Sequence, residues 1–318
     1  MSDKHISRLD YEGRLADVFN LVCTDFGLPS YKSHSLIPVG YEDVNFKLET
    51  NNGSYFVKIF SSSRLQADID RYVKVIETAL QSGVRHPQLF KNKRGSHLYK
   101  PTQTNLQLLV MEWLDGSSFW DIGNKPTDKE CLEIIEIAVS VNSIDYKPPF
   151  TYDGWAITSF ENEFKHYSDT LNSDDRQKVS EVLSEFISLE LDSLPKALVH
   201  GDLIATNVIK TSRGLFVVDF SVANYYPRIQ ELAVLFCNLF FDENDAKNSE
   251  RMYNTYSQAY SKRLLLTEAE NKALPIYTKA AHAMHVIGAS KAIVKGEDDE
   301  ENQYWLNLGR KGLSMGFY

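Results

Sequence analysis

The apolar positions of this chain follow two periods in turn. Leu15, Val18, Phe19, Val22 and Phe26 recur at helical spacing and predict an opening helix that stops at Gly27. Then the period falls to two. SLIPVG (Ser35 to Gly40) is predicted as a strand, GYED (Gly40 to Asp43) as a loop, and VNFKLET (Val44 to Thr50) as a second strand. The Asn52-Gly53 pair is a hairpin signal, and SYFVKIF continues as the return strand. Ile69, Tyr72, Val73, Ile76 and Leu80 form the stripe of a helix ending before Gly83, and Leu106 to Leu114 reads as a buried strand closed by Asp115-Gly116. Past Gly116 the pattern is helical, near 128–141, 159–171 and 175–189. It is broken by one β-rich island, KALVHGDLIATNVIKTSRGLFVVDF, from Lys196 to Phe220. The pattern predicts an α+β chain without internal repeats: a small N-terminal antiparallel sheet lobe in 1–112, a connector at 113–117, and a larger, mostly helical lobe over 118–318.

Composition narrows the class. With 318 residues, 43% hydrophobic and 24% charged, the chain can bury a sizeable core and is not of disordered or fibrous type. A formal net charge of -9 works against a nucleic-acid surface and favours a cationic small molecule. Three scattered cysteines encode neither a disulfide framework nor a zinc cluster, which fits a reducing, cytoplasmic setting. The first ten residues lack an apolar signal-type stretch, and Leu232 to Phe241 is too short to span a bilayer, so no membrane partner is expected. A monomer and a homodimer are both compatible with the sequence.

The island carries the chemistry. Strands NVI and LFVV flank the turn residues Thr211 to Gly214, so a hairpin centred there sets Asn207 opposite Val218 and beside Asp219. Residues opposite on paired strands have Cβ atoms roughly 5 Å apart, so an amide oxygen and a carboxylate converge at the open end of the hairpin. Such hard oxygens suit Mg²⁺, which completes its shell with water and substrate phosphates. Asp202, five residues before Asn207, follows the apolar strand Ala197 to Val199 and points to the same space.

One carboxylate orienting a nucleophile, with two oxygen groups for metal, is the division of labour of kinase phosphoryl transfer, whose catalytic loop reads H-R-D-x-x-x-x-N. Here His200-Gly201-Asp202 precedes Asn207 at that spacing, and Val217-Val218-Asp219-Phe220 follows. With Gly after His, the pattern resembles the aminoglycoside phosphotransferase and choline kinase-like superfamily, which includes homoserine and hydroxylysine kinases. The resemblance covers nearly the whole chain. It implies a bilobal, protein-kinase-like fold with ATP between the lobes, Asp202 as catalytic base, and Asn207 and Asp219 as Mg²⁺ ligands.

Lys58 lies inside the apolar strand YFVKIF, where a lysine is either paired or facing water from an edge. In the kinase template the corresponding lysine contacts the α/β-phosphates and is held by an acid of the next helix. Asp70 is the first candidate for that acid and Asp68 the second, while Glu77 needs a different helix register. The loop at Gly40 to Asp43 either covers phosphates or is a plain hairpin loop, and its single glycine departs from G-x-G-x-x-G. Resemblance to superfamily members with an Asn in the following strand implies that Asn45 braces this loop. Met111, Glu112 and Trp113 fall where kinases bind adenine through backbone groups, although Trp113 also reads as ordinary core.

About ten residues separate Asp219 from the helix near Arg228, and no A-P-E follows, which leaves no room for the activation segment of a Ser/Thr protein kinase. The acceptor is therefore expected to be a small hydroxyl compound, and a catalytically silent nucleotide-binding protein is the alternative. Glu231 reads as a structural cap or hairpin anchor, and His200 as a buttress of the loop. For an amine-bearing acceptor, Tyr225, Tyr226, Trp155 and the acidic run around Asp298 are candidate contacts.

Overall fold

Glycine and strand alternation build the first part of the fold. The computed structural model describes residues 5–38, 40 and 42–316; Val39 and Tyr41, of the predicted first strand and phosphate-covering loop, lie outside the described residues. Gly27, at φ +66, closes α1 (Leu15–Phe26) in the left-handed conformation that favours glycine. The apolar face of α1 is buried with one face of a four-stranded antiparallel sheet, β1 (Tyr31–Ile37), β2 (Val44–Thr50), β3 (Gly53–Ile59) and β4 (Leu108–Glu112), ordered β1-β2-β3-β4. Phe19, Phe46, Leu48, Val57 and Val110 form the centre of that core. Thr50 pairs with Gly53, so the two turn residues are Asn51 and Asn52, one position earlier than the Asn52-Gly53 signal suggests. Gly53 instead opens the return strand at φ +112. Helix α2 (Gln66–Gln81) follows β3.

The chain divides into two compact units: the described residues to Gln81 with Arg85–Gly116, and Ser82–Val84 with the described residues from Ser117 onward. In the second unit, α3 (Asp128–Asn142) starts at a capping box in which Thr127 and Glu130 satisfy each other's backbone N–H groups. The predicted helix over 159–171 is shorter, α4 (Phe160–Tyr167), and continues as a 3₁₀ turn at Ser168–Thr170. Helix α5 (Ser173–Ile187) precedes the island. β5 (Gly116–Ser118) joins β7 (Val208–Thr211) and β8 (Gly214–Val217) in one sheet, and β6 (Lys196–Val199) pairs with β9 (Asn224–Pro227) in another. Strands β5 and β9 have no signature in the sequence, being too short to express a period of two.

Four helices complete this unit: α6 (Ile229–Cys237), α7 (Ala246–Arg263), α8 (Glu268–Val294) and α9 (Glu300–Ser314). Gly309 and Gly312 allow α9 to approach α8 closely, since a methyl group on Gly309 would stand 2.6 Å from the His282 carbonyl. No helix among the described residues is long and apolar enough to cross a membrane.

Candidate active site

The turn after β6 is built around a buried histidine. Gly201, at φ +82, lets the chain reverse after His200, whose side chain is fully buried and packs against the Phe220 ring at 4.4 Å. The Asp202 N–H donates to His200 Nδ1 at 3.2 Å, so the proton resides on Nε2, which donates to the Val218 carbonyl at 3.1 Å. Burial holds the imidazole near a pKa of about 4, and it is neutral at physiological pH. From below, the buried Glu231 carboxylate accepts the His200 N–H at 2.6 Å. His200 and Glu231 thus brace the loop as the sequence reading expects.

The hairpin forms in the expected register. Val208 pairs with Val217, Thr211 with Gly214, and the Val218 N–H donates to the Asn207 carbonyl at 2.9 Å. The Asn207 Nδ2 donates to the Asp202 carbonyl at 3.0 Å and to Asp202 Oδ2 at 2.6 Å. With the NH₂ group committed to Asp202, Oδ1 is the atom that Asn207 can offer to a cation. Asp219 sits at φ +65, an uncommon backbone state for a non-glycine residue, and its Oδ1 accepts the Ser221 N–H at 3.2 Å. An amide oxygen and a carboxylate at the end of one hairpin form a donor set that fits Mg²⁺, and no group of three or more His, Cys, Asp or Glu side chains among the described residues could hold a metal ion.

Asp202 lies in a field of negative charge. Burial first, then the charges of Asp153 and Asp219, push its carboxyl up to about 7, with Glu301 adding to the effect and the Asn207 hydrogen bond opposing it. Sequence reading missed Asp153. It is held because Asn224 of β9 bonds both backbone groups of Thr151, fixing the segment, and because Asp153 Oδ1 accepts the Trp155 N–H at 2.9 Å.

Trp155, one of the expected acceptor contacts, lies over Gly288 and stands 6.4 Å from the His285 ring, which in turn lies 5.1 Å from Trp305. The Trp305 Nε1 donates to Glu301 at 3.4 Å. The three other candidate contacts have these neighbours. Tyr226 of β9 is packed with Val199 of β6 and with Ala156, the residue after Trp155, and Tyr225 lies against Lys147. Asp298 accepts from Gln303, and of the acidic run Glu301 is the residue whose charge acts on Asp202.

In the first unit, Lys58 pairs with Asn45 across β2 and β3 and is 5% exposed, so it is a buried cation rather than an edge charge. A carboxylate that reaches it belongs to Asp43, at 3.5 Å. Asp70, the expected partner, is exposed on α2 and accepts from Gln66 at 2.8 Å. The β2–β3 register carries the loop acid back beside the lysine. Glu77 is engaged with His97 at 2.7 Å, and Asp68 lies half-buried in the first turn of α2.

Gly40, at φ +106, is held by Arg8 at its carbonyl, and a methyl group there would lie 3.4 Å from Asn45 Nδ2, so the loop and the buried Asn45 are neighbours. Glu112 exchanges hydrogen bonds with Gln88, and Trp113 is half-buried beneath Lys47 at 4.9 Å.

Residues 33–270 match the profile of the phosphotransferase enzyme family named APH. The chain belongs to this family. The same family is the one that the His200–Asn207 and Val217–Phe220 motifs resemble. Among curated proteins, this phosphotransferase is 24% identical over 269 residues to a homoserine kinase of Bradyrhizobium sp. (strain ORS 278), covering 80% of this chain and 77% of that one. It is 23% identical over 271 residues to a homoserine kinase of Parvibaculum lavamentivorans, covering 82% and 80%.

Solved structures show the fold: amicoumacin kinase hAmiN at a TM-score of 0.67 and 16% identity, covering 98% and 96% of the two chains, and a microcompartment-associated aminopropanol kinase at 0.67 and 12%, covering 93% and 95%. This phosphotransferase is a kinase for a small-molecule hydroxyl acceptor.

Proposed function

We propose that this kinase transfers the γ-phosphoryl group of ATP, with Mg²⁺, to the hydroxyl of a small amine-bearing acceptor of the homoserine or amino-alcohol class. The observation that carries the reading is the negative charge gathered at Asp202 within the helical unit, where Asp153, Asp219 and Glu301 all act on its carboxyl. Such a set is self-repulsive until cations enter it. A metal ion answers one part of the repulsion and an ammonium group the other. The half-exposed indole of Trp155, the buried ring of Trp305 and the neutral His285 add aromatic faces of the kind that receive an ammonium. The homoserine kinase relatives favour a hydroxylated amino acid within that class.

Mg²⁺ would be held by Asn207 Oδ1 and Asp219 and would neutralise phosphate charge. Asp202 accepts a hydrogen bond from the acceptor hydroxyl, aims its oxygen at phosphorus, and takes up the proton as the new P–O bond forms and the bond from the γ-phosphorus to the β–γ bridging oxygen breaks, with ADP as the leaving group. Asn207 keeps the Asp202 carboxylate turned to its task through two hydrogen bonds. Lys58 offsets negative charge on the nucleotide, with Gly40, Asn45, Glu112 and Trp113 contributing loop and backbone contacts to it. The three cysteines are buried and free, which supports work in a reducing cytoplasm.

Release of ADP, measured with homoserine, aminopropanol, choline, ethanolamine, an aminoglycoside and glycerol, tests the reading. Mg²⁺-dependent turnover of one of the amines with kcat/KM well above that of glycerol is expected. Turnover of the uncharged alcohol alone would overturn it.

A further inference from the structure

Three cationic side chains converge on the β1–β2 loop. The Asp43 carboxylate, 3% exposed, accepts from Lys58 at 3.5 Å and from Arg64 at 2.5 Å through Oδ2, while Oδ1 accepts the Ser61 N–H at 3.2 Å. Arg8 holds the loop's other side through the Gly40 carbonyl at 2.9 Å. Lys58 and Arg64 also share the Tyr72 ring, at 5.2 and 5.6 Å from its centroid. The side chains of Lys58 and Arg64 are 7% and 11% exposed, so neither ion pair is a solvated surface contact of small worth.

We infer that Asp43 is a positioning residue of the phosphate-contacting lysine, so that in this kinase the phosphate-side loop takes part in setting the lysine's orientation. The inference rests on the nucleotide reading given above for Lys58. Its physical content is a tether at two scales. Asp43 is two residues before Asn45, and Asn45 is the cross-strand partner of Lys58, so the backbone register fixes the carboxylate beside the ammonium. Arg64, half-buried between β3 and α2, then fixes the carboxylate in turn, with its other contact to Glu42 at 3.3 Å. Any displacement of Asp43 therefore acts on Lys58 directly.

Asp43, Lys58 and Arg64 together carry one net positive charge, and Asp43→Asn leaves two. An anionic nucleotide is then bound no more weakly, while the lysine loses the carboxylate contact that helps to orient it for transfer. With the acceptor turned over fastest in the ADP-release screen, Asp43→Asn should lower kcat by about tenfold or more, the scale of a misplaced electrostatic contact. Calorimetric titration with Mg²⁺ and AMP-PNP should give a Kd equal to or below that of the unmodified chain. In a Lys58→Ala background the same substitution should have little further effect on kcat.

An unchanged kcat in Asp43→Asn would overturn the inference, and so would an equal loss in the Lys58→Ala background or a Kd weakened in step with kcat. A kcat lowered by Asp70→Asn but not by Asp43→Asn would assign the lysine to the helix instead. Failure of the unmodified chain to bind AMP-PNP would count against the nucleotide reading itself, which separates the two failures.

Discussion

Asn207 turns its side-chain amide toward Asp202, 2.6 Å from Oδ2 and 3.0 Å from the main-chain carbonyl. The residue proposed to hold the metal through its oxygen therefore also aims the proposed base through its nitrogen. Replacement by Ala removes both, and Asn207→Ala should lower kcat and raise the Mg²⁺ concentration needed for half-maximal velocity. Asp202→Asn should separate the functions: kcat falls by roughly 10²–10⁴, the range of a lost general base, with the AMP-PNP Kd retained. A variant that loses nucleotide affinity as much as kcat would contradict the assignment.

The Glu231 carboxylate, buried beneath the loop, gives a pH dependence with a defined sign. Burial raises its pKa from the ordinary 4.5 to about 7, against the backbone hydrogen bonds from His200 and Gly201 that favour the charged form. The folded chain therefore binds more protons here than the unfolded chain. The stability contributed is complete below about 4.5 and is lost as pH rises through about 7. The buried His200 and His285, held near 4, give the opposite slope over part of this range, so the measurement is a difference: between pH 5 and 8 the unfolding free energy of the unmodified chain minus that of Glu231→Gln should fall as pH rises. A difference that does not change with pH would show that Glu231 titrates normally.

The hairpin of β7 and β8 was legible because it is local: a four-residue turn sets Asn207 against Val218, and nothing distant is needed to bring Asp219 alongside. The partner of Lys58 was misread for a different reason. The kinase template assigns that acid to a helix, whereas the β2–β3 register, countable from the hairpin, returns Asp43 to the end of the lysine strand. The acidic surroundings of Asp202 belong to a third case. Asp153, His285 and Glu301 come from a loop and two helices, and no spacing in the chain expresses their approach. Trp155 gave a partial signal as an aromatic candidate, and Glu301 as the last member of an acidic run.

Glu301 offers a test of the acceptor side that leaves the nucleotide side alone. It lies in the first turn of α9, half-buried, accepts from Trp305 and adds negative charge at Asp202. Glu301→Gln keeps the size and the acceptor oxygen but removes the charge. For an ammonium-bearing acceptor KM should rise several-fold while KM for ATP is unchanged, and added salt should weaken the acceptor's binding in the unmodified chain more than in the variant. Equal KM values would place the ammonium elsewhere.

Two glycines of the helical unit separate stability from acceptor binding. A methyl group on Gly312 would stand 2.1 Å from Nδ1 of His282, a ring that is fully buried against Phe241 at 4.6 Å. With no free volume to retreat into, Gly312→Ala should destabilise the fold by about 1–3 kcal/mol, measured as a lower denaturation midpoint. At Gly288 the methyl would meet the Trp155 ring at 2.4 Å, but that side chain is 46% exposed and can swing outward. The strain is then relieved by moving the indole instead of the helix. Gly288→Ala should thus leave the midpoint close to that of the unmodified chain and raise KM for the amine acceptor, because the displaced indole no longer lies beside His285. A variant that unfolds early without a change in KM would mean that Trp155 is fixed and serves packing alone.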